Sequence, residues 1–390
     1  NSSAASDVYK RQGYVFMMDR ERLLKTFIEL LMIKSPSKDE KEIVDCVSRI
    51  LKNLGLEINI DNCGNKFGSN AGNIIALYQA KNPSGSKPIF LAAHLDTVSV
   101  NGDIIPVIKD GKIINKNKDC ILGGDNKIAV AAIIEAIKVI KEDNIPTGDI
   151  YIVFTISEEI GVRGSKCLDM ELIKAKYGFA FDSDGNVGSI INKAPYQNSI
   201  YAQFKGKSAH AGVEPEKGIN SIKAASIAVS SMKIGRIDNE STANVGKIEG
   251  GTAGNIVAEN TKLEMEARSL KLSKLEKITN DMINDLKKGA EKVGADLNYK
   301  IVREYDGFEI SEDEIPIKVA KYAMEKLNIK PKIISSGGGS DINIFNSKGK
   351  VSVNLSNGME NIHTNEEFVR VEQVIKLTNL VIEICKFLIK

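Results

Sequence analysis

The sequence lacks several features that would point to particular classes of protein. Its five cysteines are scattered without a Cys-x-x-Cys pair, which argues against a thiolate zinc site or a disulfide framework and fits a reducing cytosol. The formal net charge is only +2 and no basic tract is present, so neither nucleic acid nor a membrane surface is an expected partner. The longest apolar run, residues 128–140, contains charges and is too short to span a membrane. The first residues also lack the pattern of a secretory signal, and we expect a cytoplasmic protein.

Length and composition indicate a globular protein with more than one domain. Hydrophobic residues make up 42% of the chain and charged residues 27%, a balance typical of soluble globular proteins. With 390 residues the chain is longer than a domain with one small hydrophobic core, so two domains are expected. Residues 1–16 show no helical or strand periodicity. We expect a non-native or disordered extension there, with the natural chain beginning at Met17 or Met18.

Residues 88–98 combine a buried strand with two candidate functional side chains. The stretch begins with a proline and an apolar run, the pattern of a strand buried on both faces. His94 and Asp96 follow two residues apart, so in an extended chain both side chains point to the same side. Imidazole is a good ligand for zinc-like metals, and a nearby carboxylate can fix its tautomer. The alternative is an ordinary strand end that carries these residues by chance.

Alternating strands and helices in residues 17–195 predict an α/β domain with a mainly parallel sheet. In such sheets the reactive groups gather beyond the carboxyl ends of the strands. Five candidates lie at or just past a strand end, or where a strand leads into a helix: His94, Asp125, Glu158, Glu159 and Asp182.

Two local patterns in this region give further predictions. Ser37 and Glu40 have the spacing of a capping box for a helix that ends near residue 54. Residues 101–120 are predicted to form a polar loop, with turns at Asn101-Gly102 and Asp110-Gly111.

From about residue 196 the pattern becomes that of an inserted domain. Strands and helices follow the order β-α-β-β-α-β, which is typical of a small ferredoxin-like α+β domain. The α/β pattern returns after residue 306. We therefore expect one domain from residues 17–195 and 307–390, and an inserted domain from residues 196–306.

Histidine is the most informative residue type because the chain contains only three. His94 ends the central strand, His210 lies in Ser-Ala-His-Ala-Gly, and His363 lies in Asn-Ile-His-Thr. None is predicted on the apolar face of a helix, where a buried structural histidine would be ordinary. A surface histidine is the simple explanation for each one alone, whereas all three together favour function.

Each acidic candidate also has a structural explanation. Asp125 could cap the helix that follows it, or its two oxygens could bridge two cations. Glu158 and Glu159 could form a solvated pair, or one could bind a metal while the other faces a metal-bound water. Asp182 is the candidate ligand at the next strand, with Asp184 as the competing residue.

Taken together, the candidates fit two metal sites that share one carboxylate. Such two-metal sites, with ions roughly 3.5–4 Å apart, activate water and stabilise the oxyanion formed at a carbonyl. The donors are nitrogen and oxygen atoms without thiolates, which suits zinc, manganese or cobalt. The candidate ligands are His94, Asp125, Glu159, Asp182 and His363. Glu158 is then left as the general base.

Six motifs occur in the order found in the co-catalytic zinc exopeptidases, a family that includes peptidase T, glutamate carboxypeptidases, succinyl-diaminopimelate desuccinylase and aminoacylases. They are His94-Leu-Asp96-Thr-Val98, Gly123-Gly-Asp125-Asn-Lys127, Ser157-Glu158-Glu159-Ile-Gly161, Phe181-Asp182-Ser-Asp184-Gly185, Ser208-Ala-His210-Ala-Gly212 and Ile362-His363-Thr364. The sequence around Asp182 and His210 most resembles the peptidase T-like branch. The resemblance extends over residues 17–390 and implies a catalytic α/β domain with the inserted domain as a lid.

The resemblance implies two divalent metal ions, zinc in the first place. His94, Asp125 and Asp182 match the ligands of one ion, and Asp125, Glu159 and His363 match those of the other. Asn126 stands where peptidase T itself usually carries a second acid, which bears on substrate specificity and not on the metals.

The resemblance also implies roles in catalysis and substrate binding. Asp96 matches the acid that orients the His94 ring, and Glu158 matches the general base. His210, Asn255 and Arg268 match substrate-binding positions on the lid. Gly338, Gly339 and Asp341 match a glycine loop that lines the pocket, in which the backbone amides around Gly338 and Gly339 would bind an anionic end group of the substrate.

The expected activity is hydrolysis of short peptides. We expect removal of the N-terminal residue, from tripeptides in particular, by attack of a metal-bridging hydroxide with Glu158 as base. One alternative is a carboxypeptidase or an N-acyl amino acid deacylase of the same family. Another is a non-catalytic metal- or peptide-binding protein, which would have no need of Glu158. The resemblance also makes a homodimer through the lid an expectation.

Overall fold

The computed structural model describes residues 18–81 and 85–390, so the extension predicted for residues 1–16 lies outside the described residues. The described chain divides into two compact units. The first unit contains the described residues up to Asn192, together with Ile310–Ile334 and Ser340–Lys390. The second unit contains Lys193–Glu309 and Ser335–Gly339.

The helices and strands are numbered separately in chain order. The helices are α1 (Arg20–Met32), α2 (Lys41–Asn53), α3 (Gly124–Glu142), α4 (Arg163–Cys167), α5 (Ser221–Ser231), α6 (Leu272–Val293), α7 (Ile315–Lys326), α8 (Asp341–Ser347) and α9 (Val371–Lys386). Short 3-10 helices occupy Cys63–Lys66, Met170–Leu172 and Pro215–Lys217. The strands are β1 (Glu57–Ile60), β2 (Ile74–Tyr78), β3 (Ile89–His94), β4 (Pro106–Lys109), β5 (Lys112–Asn115), β6 (Ile150–Thr155), β7 (Tyr177–Ser183), β8 (Ser189–Ala194), β9 (Tyr196–Lys205), β10 (Gly235–Asp238), β11 (Ser241–Gly250), β12 (Asn260–Ser269), β13 (Asp296–Tyr305), β14 (Phe308–Glu309), β15 (Lys332–Ser335), β16 (Val351–Ser356), β17 (Met359–Glu360) and β18 (Phe368–Arg370).

The first unit is built on a mixed sheet whose centre is parallel. Its strand order is β1-β2-β6-β3-β7-β16-β8, and β6, β3, β7 and β16 pair in parallel. Every residue of β3 and β6 is buried, as expected for strands covered on both faces. The predicted α/β class with a mainly parallel sheet is confirmed.

The parallel strands bring several predicted site residues to one edge of this sheet. His94 is the last residue of β3, and Glu158 and Glu159 follow soon after β6. Asp182 lies near the end of β7, the neighbour of β3 on its other side. Because parallel strands end on the same side, their carboxyl ends carry these side chains to one place.

The second unit has the predicted ferredoxin-like α+β fold. Its antiparallel sheet has the order β10-β11-β12-β9-β13, where β10 is a short extra edge strand. Helices α5 and α6 pack on the sheet and share one apolar core with it. Gly289 of α6 lets the two helices approach closely, because a Cβ there would lie 2.5 Å from the Ala224 carbonyl oxygen.

Two local predictions were wrong. Residues 101–120 are not only a loop, because β4 and β5 form a hairpin that turns at Asp110-Gly111 and joins a small sheet of order β17-β18-β5-β4. Ser37 and Glu40 do not form a capping box. Glu40 stands at the N-cap of α2 without a side-chain cap bond, because its carboxylate binds Ser69 and Ser157 instead.

The structure also joins Cys63 to Cys167 by a disulfide, with Cα atoms 5.8 Å apart and a sequence separation of 104. This pair corrects the expectation that the scattered cysteines form no disulfides, which failed because no local spacing links two residues so far apart. Among the described residues no helix has both the length and the apolar character that a membrane span requires.

Candidate metal centre

Two histidines and three acids converge at the carboxyl edge of the central sheet. The Nε2 atom of His94 lies 3.1 Å from Asp125 Oδ1 and 3.3 Å from Asp182 Oδ1. The Nε2 atom of His363 lies 3.2 Å from Asp125 Oδ2 and 2.9 Å from Glu159 Oε1. Each oxygen of Asp125 therefore faces a different histidine, and a different acid completes each set.

Special backbone geometry presents two of these side chains. Asp125 lies at the start of α3 but has extended φ and ψ angles of −75° and 107°, and its peptide bond to Asn126 is cis. His363 lies in the connection between β17 and β18 with a φ of +63°, in the left-handed region. Neither conformation could be predicted from the local sequence pattern.

The cluster is strongly acidic, and its pKa values reflect that. Burial would lower the pKa of His94, but Asp182 and the hydrogen bond with Asp125 raise it well above its usual value. Hydrogen bonds with Asp125 and Glu159 raise the pKa of His363 to about 10. Burial raises the pKa of Asp182 to about 7. Burial also works to raise the pKa of Asp125, yet hydrogen bonds from both histidines outweigh it and leave that pKa below its usual range.

The donor atoms fit a metal centre. One ligand atom from each of His94, Asp125 and Glu159 lies within 4.8 Å of the other two. The full set of imidazole nitrogens and carboxylate oxygens contains no thiolate, which suits zinc, manganese or cobalt. An excess of carboxylates over imidazoles also favours bound cations electrostatically.

The contacts of Asp96 differ in part from the predicted one. The Nδ1 atom of His94 lies 2.9 Å from the main-chain oxygen of Asp96 and 3.5 Å from its Oδ1. A carbonyl oxygen can only accept, so Nδ1 donates to it, which leaves Nε2 as the nitrogen that can give up its proton and bind a metal. The Asp96 carboxylate accepts hydrogen bonds from the amides of Glu158 at 2.9 Å and Glu159 at 3.1 Å, and from the Ser37 hydroxyl at 2.6 Å.

Glu158 is a partly buried acid beside the metal-ligand cluster. Burial raises the pKa of Glu158 well above its usual value, and the negative charge of Asp182 raises it further. It follows Ser157, which has a φ of +52° and donates a hydrogen bond to Glu40 at 2.5 Å. A carboxylate whose pKa is raised binds a proton more readily, as a residue that accepts a proton from water must do.

Sequence reasoning missed several polar partners of the site, among them Glu40 and Asn126. Glu40 was interpreted as a helix cap, although its carboxylate holds the hydroxyl of Ser157, the residue just before Glu158. Asn126 donates from Nδ2 to Asp182 Oδ1 at 3.0 Å. The competing candidate Asp184 is exposed.

The predicted substrate-binding residues belong to the second unit. His210 and Asn255 are both exposed. They lie close together, because the Ala211 amide donates to the Asn255 carbonyl at 3.0 Å and His210 pairs with Ile256 through a single antiparallel β-bridge. Arg268 of β12 is ion-paired with Glu266 at 3.0 Å.

The glycine loop of the second unit is shaped by its own contacts. The Gly338 amide donates to the Ser336 hydroxyl at 3.0 Å. Gly339 packs against the Tyr305 ring so closely that a Cβ there would lie 2.2 Å from the ring carbon Cζ. Only glycine fits at that position. Asp341, which follows the loop, is buried in the first unit and accepts a hydrogen bond from Thr155 at 2.5 Å.

The chain is similar in sequence and in structure to known peptidases. The sequence profile of peptidase family M20/M25/M40 matches residues 90–386. The chain is 40% identical over 368 residues to the uncharacterized protein YqjE of Bacillus subtilis, a match that covers 94% of this chain and 98% of YqjE. The structure of aminopeptidase PepT from Bacillus cereus is 41% identical, with a TM-score of 0.85 over 95% of this chain and 99% of that one. A tripeptidase from Staphylococcus aureus is 36% identical, with a TM-score of 0.89 over 95% of this chain and 98% of that one.

Proposed function

The chain belongs to peptidase family M20/M25/M40, and we propose that within this family it is a di-metal exopeptidase that removes N-terminal residues from short peptides, tripeptides in particular. It is a peptidase T-like hydrolase of peptide bonds. The observation that carries the proposal is the position of Asp125, whose two oxygens face two separate histidine–acid sets. The aminopeptidase and tripeptidase activities named for its two structural relatives support the choice of substrate.

The donor set assigns ligands to two ions. His94, Asp125 and Asp182 would hold one ion, and Asp125, Glu159 and His363 would hold the other. When bound, two such ions, zinc in our proposal with manganese or cobalt as alternatives, polarise the scissile carbonyl and lower the pKa of water. The His94 ring is held in the tautomer this requires by the Asp96 carbonyl.

Glu158 carries the proton in this proposal. Its carboxylate accepts the proton of the attacking water and then donates it to the nitrogen of the leaving amine. The raised pKa of Glu158 supports the first of these tasks, because it makes the carboxylate a stronger proton acceptor. The Asp96 carboxylate accepts hydrogen bonds from the amides of Glu158 and Glu159. It thereby fixes the backbone that carries the proposed base and one proposed metal ligand.

We assign substrate binding to residues of the second unit, including its glycine loop. The exposed side chains of His210 and Asn255 can hydrogen-bond a peptide, and the Arg268 guanidinium can bind its carboxylate. The backbone amides around Gly338 and Gly339 can bind an anionic end group. These assignments rest on the motif resemblance together with the chemistry of the side chains.

A panel of small substrates tests the activity. The full chain with added zinc, manganese or cobalt is incubated with Ala-Ala-Ala, with a peptide extended at its C-terminus, and with an N-acyl amino acid, and the products are identified by mass spectrometry. The proposal predicts release of the N-terminal alanine from the tripeptide. Release of the C-terminal residue would indicate a carboxypeptidase, and cleavage of the acyl group alone would indicate a deacylase. No cleavage of any substrate would favour a binding protein.

We propose homodimer formation through the second unit. Its edge strand β13 exposes the apolar side chains of Tyr299 and Ile301, which are 43% and 42% exposed. An exposed apolar edge strand offers a surface on which a second sheet can pair. Sedimentation velocity measures the mass, and a monomer at all concentrations would contradict the proposal.

We also propose a cytoplasmic location, which rests on the free thiols of Cys46, Cys120 and Cys385. The Cys63–Cys167 disulfide argues against it, because disulfides are rare in reducing compartments. Alkylation of thiols in intact cells, followed by mass spectrometry of the purified chain, decides between the two. Reduced Cys63 and Cys167 would support a cytoplasmic location, and a disulfide between them would contradict it.

A further inference from the structure

Glu367 is a buried acid that touches the metal centre without being one of its predicted ligands. It lies four residues after His363, directly before β18, and is 3% exposed. Its Oε2 accepts a hydrogen bond from the Gly123 amide at 2.8 Å. Its Oε1 accepts hydrogen bonds from the Gly124 amide at 2.7 Å and the Asp125 amide at 3.1 Å. One carboxylate therefore binds three successive amides, the last of which belongs to the acid shared by both metal sites.

The backbone is shaped to receive this carboxylate. A Cβ at Gly124 would lie 3.1 Å from Glu367 Oε1 and 3.2 Å from a methyl carbon of Val369, so a larger residue would push the acid away. Gly123 has a φ of +72°, a left-handed conformation that glycine adopts at little cost. The Gly-Gly pair before Asp125 thus allows Glu367 to approach the chain closely.

The sheet of order β17-β18-β5-β4 holds the segment that carries Glu367. Phe368 and Val369 of β18 pair with Ile114 and Ile113 of β5, and Val369 is fully buried. His363 lies on the connection that leads into β18 from its partner strand β17. The carboxylate of Glu367 therefore ties the loop that carries His363 to the loop that carries Asp125.

Glu367 also has a simpler structural explanation, as a cap of α3. Acids near the first amides of a helix stabilise it, and Glu367 could serve only as an external cap for α3. However, the third amide it binds is that of Asp125, whose φ and ψ angles are not helical. A simple cap would affect stability alone, whereas a residue that positions Asp125 would also affect the metal bound between Asp125 and His363.

We propose that Glu367 is a positioning residue that holds the bridging Asp125 against the His363 loop and thereby sets the affinity of the metal site formed by Asp125, Glu159 and His363. This inference rests on the proposed function, because it presupposes that these residues bind a metal ion. Glu367 itself is not assigned as a ligand and takes no part in proton transfer.

The test compares Glu367→Gln with Glu366→Gln in the full chain. Glutamine keeps the size of the side chain, but its amide group would face main-chain N–H donors with another donor. Glu366 is the exposed neighbour, so its substitution removes the same charge without the three contacts. Zinc affinity is measured for each chain by competition with a chromophoric chelator, and bound zinc is counted by elemental analysis.

The expected result is selective. Glu367→Gln weakens one of the two zinc ions by about 10–100-fold, the usual effect of losing a group that orients a metal ligand. The other ion is weakened less, because Asp125 is the only one of its three proposed ligands that accepts support from the Glu367 carboxylate. Both ions of Glu366→Gln stay within about threefold of the parent, because the three contacts of Glu367 remain. Unchanged affinity for both ions in Glu367→Gln would overturn the inference, even if thermal stability falls, because that pattern is the one a helix cap produces.

A second variant covers the case in which Glu367→Gln does not fold. Gly124→Ala leaves Glu367 in place and inserts a methyl group 3.1 Å from its Oε1, so it should also weaken one ion selectively. Full zinc affinity at both sites of a folded Gly124→Ala chain would overturn the inference. The parent chain separates this outcome from failure of the proposed function, since a parent that binds fewer than two zinc ions contradicts the function itself.

Discussion

The carboxylate of Asp96 accepts a hydrogen bond from the main-chain amide of Glu158, with Oδ1 and N 2.9 Å apart. Its other oxygen accepts the Glu159 amide, so one acid fixes the backbone of the proposed base and of a proposed metal ligand. We expect Asp96→Asn to lower kcat by about 10–100-fold, because the amide group of asparagine cannot accept from one of these donors. Steady-state kinetics with Ala-Ala-Ala measures the loss. The exposed Asp45→Asn serves as the control and should keep the parent rate.

Asp182 and Asp184 are two positions apart, yet only Asp182 has an oxygen within 3.3 Å of His94 in the contacts of the site. Asp182→Asn should therefore weaken one metal ion by at least about tenfold, because a neutral amide replaces a charged ligand. Asp184→Asn should leave both ions bound, since Asp184 is exposed. Metal titration of the two variants side by side makes the comparison. The opposite order of effects would assign the ligand to Asp184.

Removal of the proposed base should separate metal binding from turnover. Glu158→Gln keeps the size of the side chain but cannot accept a proton, so we expect a loss of kcat of at least about 100-fold. Bound metal should stay at the level of the parent, because Glu158 is not among the proposed ligands. Elemental analysis and peptide hydrolysis are measured on the same preparation. Turnover close to that of the parent would show that another group is the base.

The Cys63–Cys167 disulfide should contribute to stability. It closes a long loop and ties α4, which follows the Glu158-Glu159 segment, to the 3-10 helix at Cys63–Lys66. We expect Cys63→Ser to lower the free energy of unfolding by about 2–4 kcal/mol in the absence of reductant. Cys46→Ser, which removes a free thiol, is the control. Chemical denaturation of both variants and the parent, with and without dithiothreitol, checks this. Equal stability of the parent in both conditions would contradict it.

The sequence allowed prediction of those site residues that lie at the ends of the parallel strands. His94, Glu158, Glu159 and Asp182 were predicted to lie at or near strand ends, and parallel pairing of β6, β3 and β7 brings those ends to one edge. The same reasoning predicted the inserted α+β unit, because its strands alternate and its helices have one apolar face. These features depend on periodicity, which a single sequence displays directly.

Contacts between distant parts of the chain could not be predicted in this way. Glu40 pairs with Ser157 and Glu367 with Gly123, contacts that span 117 and 244 positions. At Glu40 a local capping pattern was present, but buried hydroxyl donors took the carboxylate instead. No local pattern marked Glu367 beyond an acid placed just before a short apolar strand. Such partners become visible only when the fold brings the segments together.

The central claim is that Asp125 serves two metal ions at once. Zinc titration of the parent, Asp125→Ala and His363→Ala, each checked for folding by circular dichroism, tests it most directly. We predict two ions per chain in the parent, weakened binding of both in Asp125→Ala, and weakened binding of only one in His363→Ala. A parent that binds fewer than two ions, or an Asp125→Ala chain that keeps one of them at the parent's affinity, would contradict the claim.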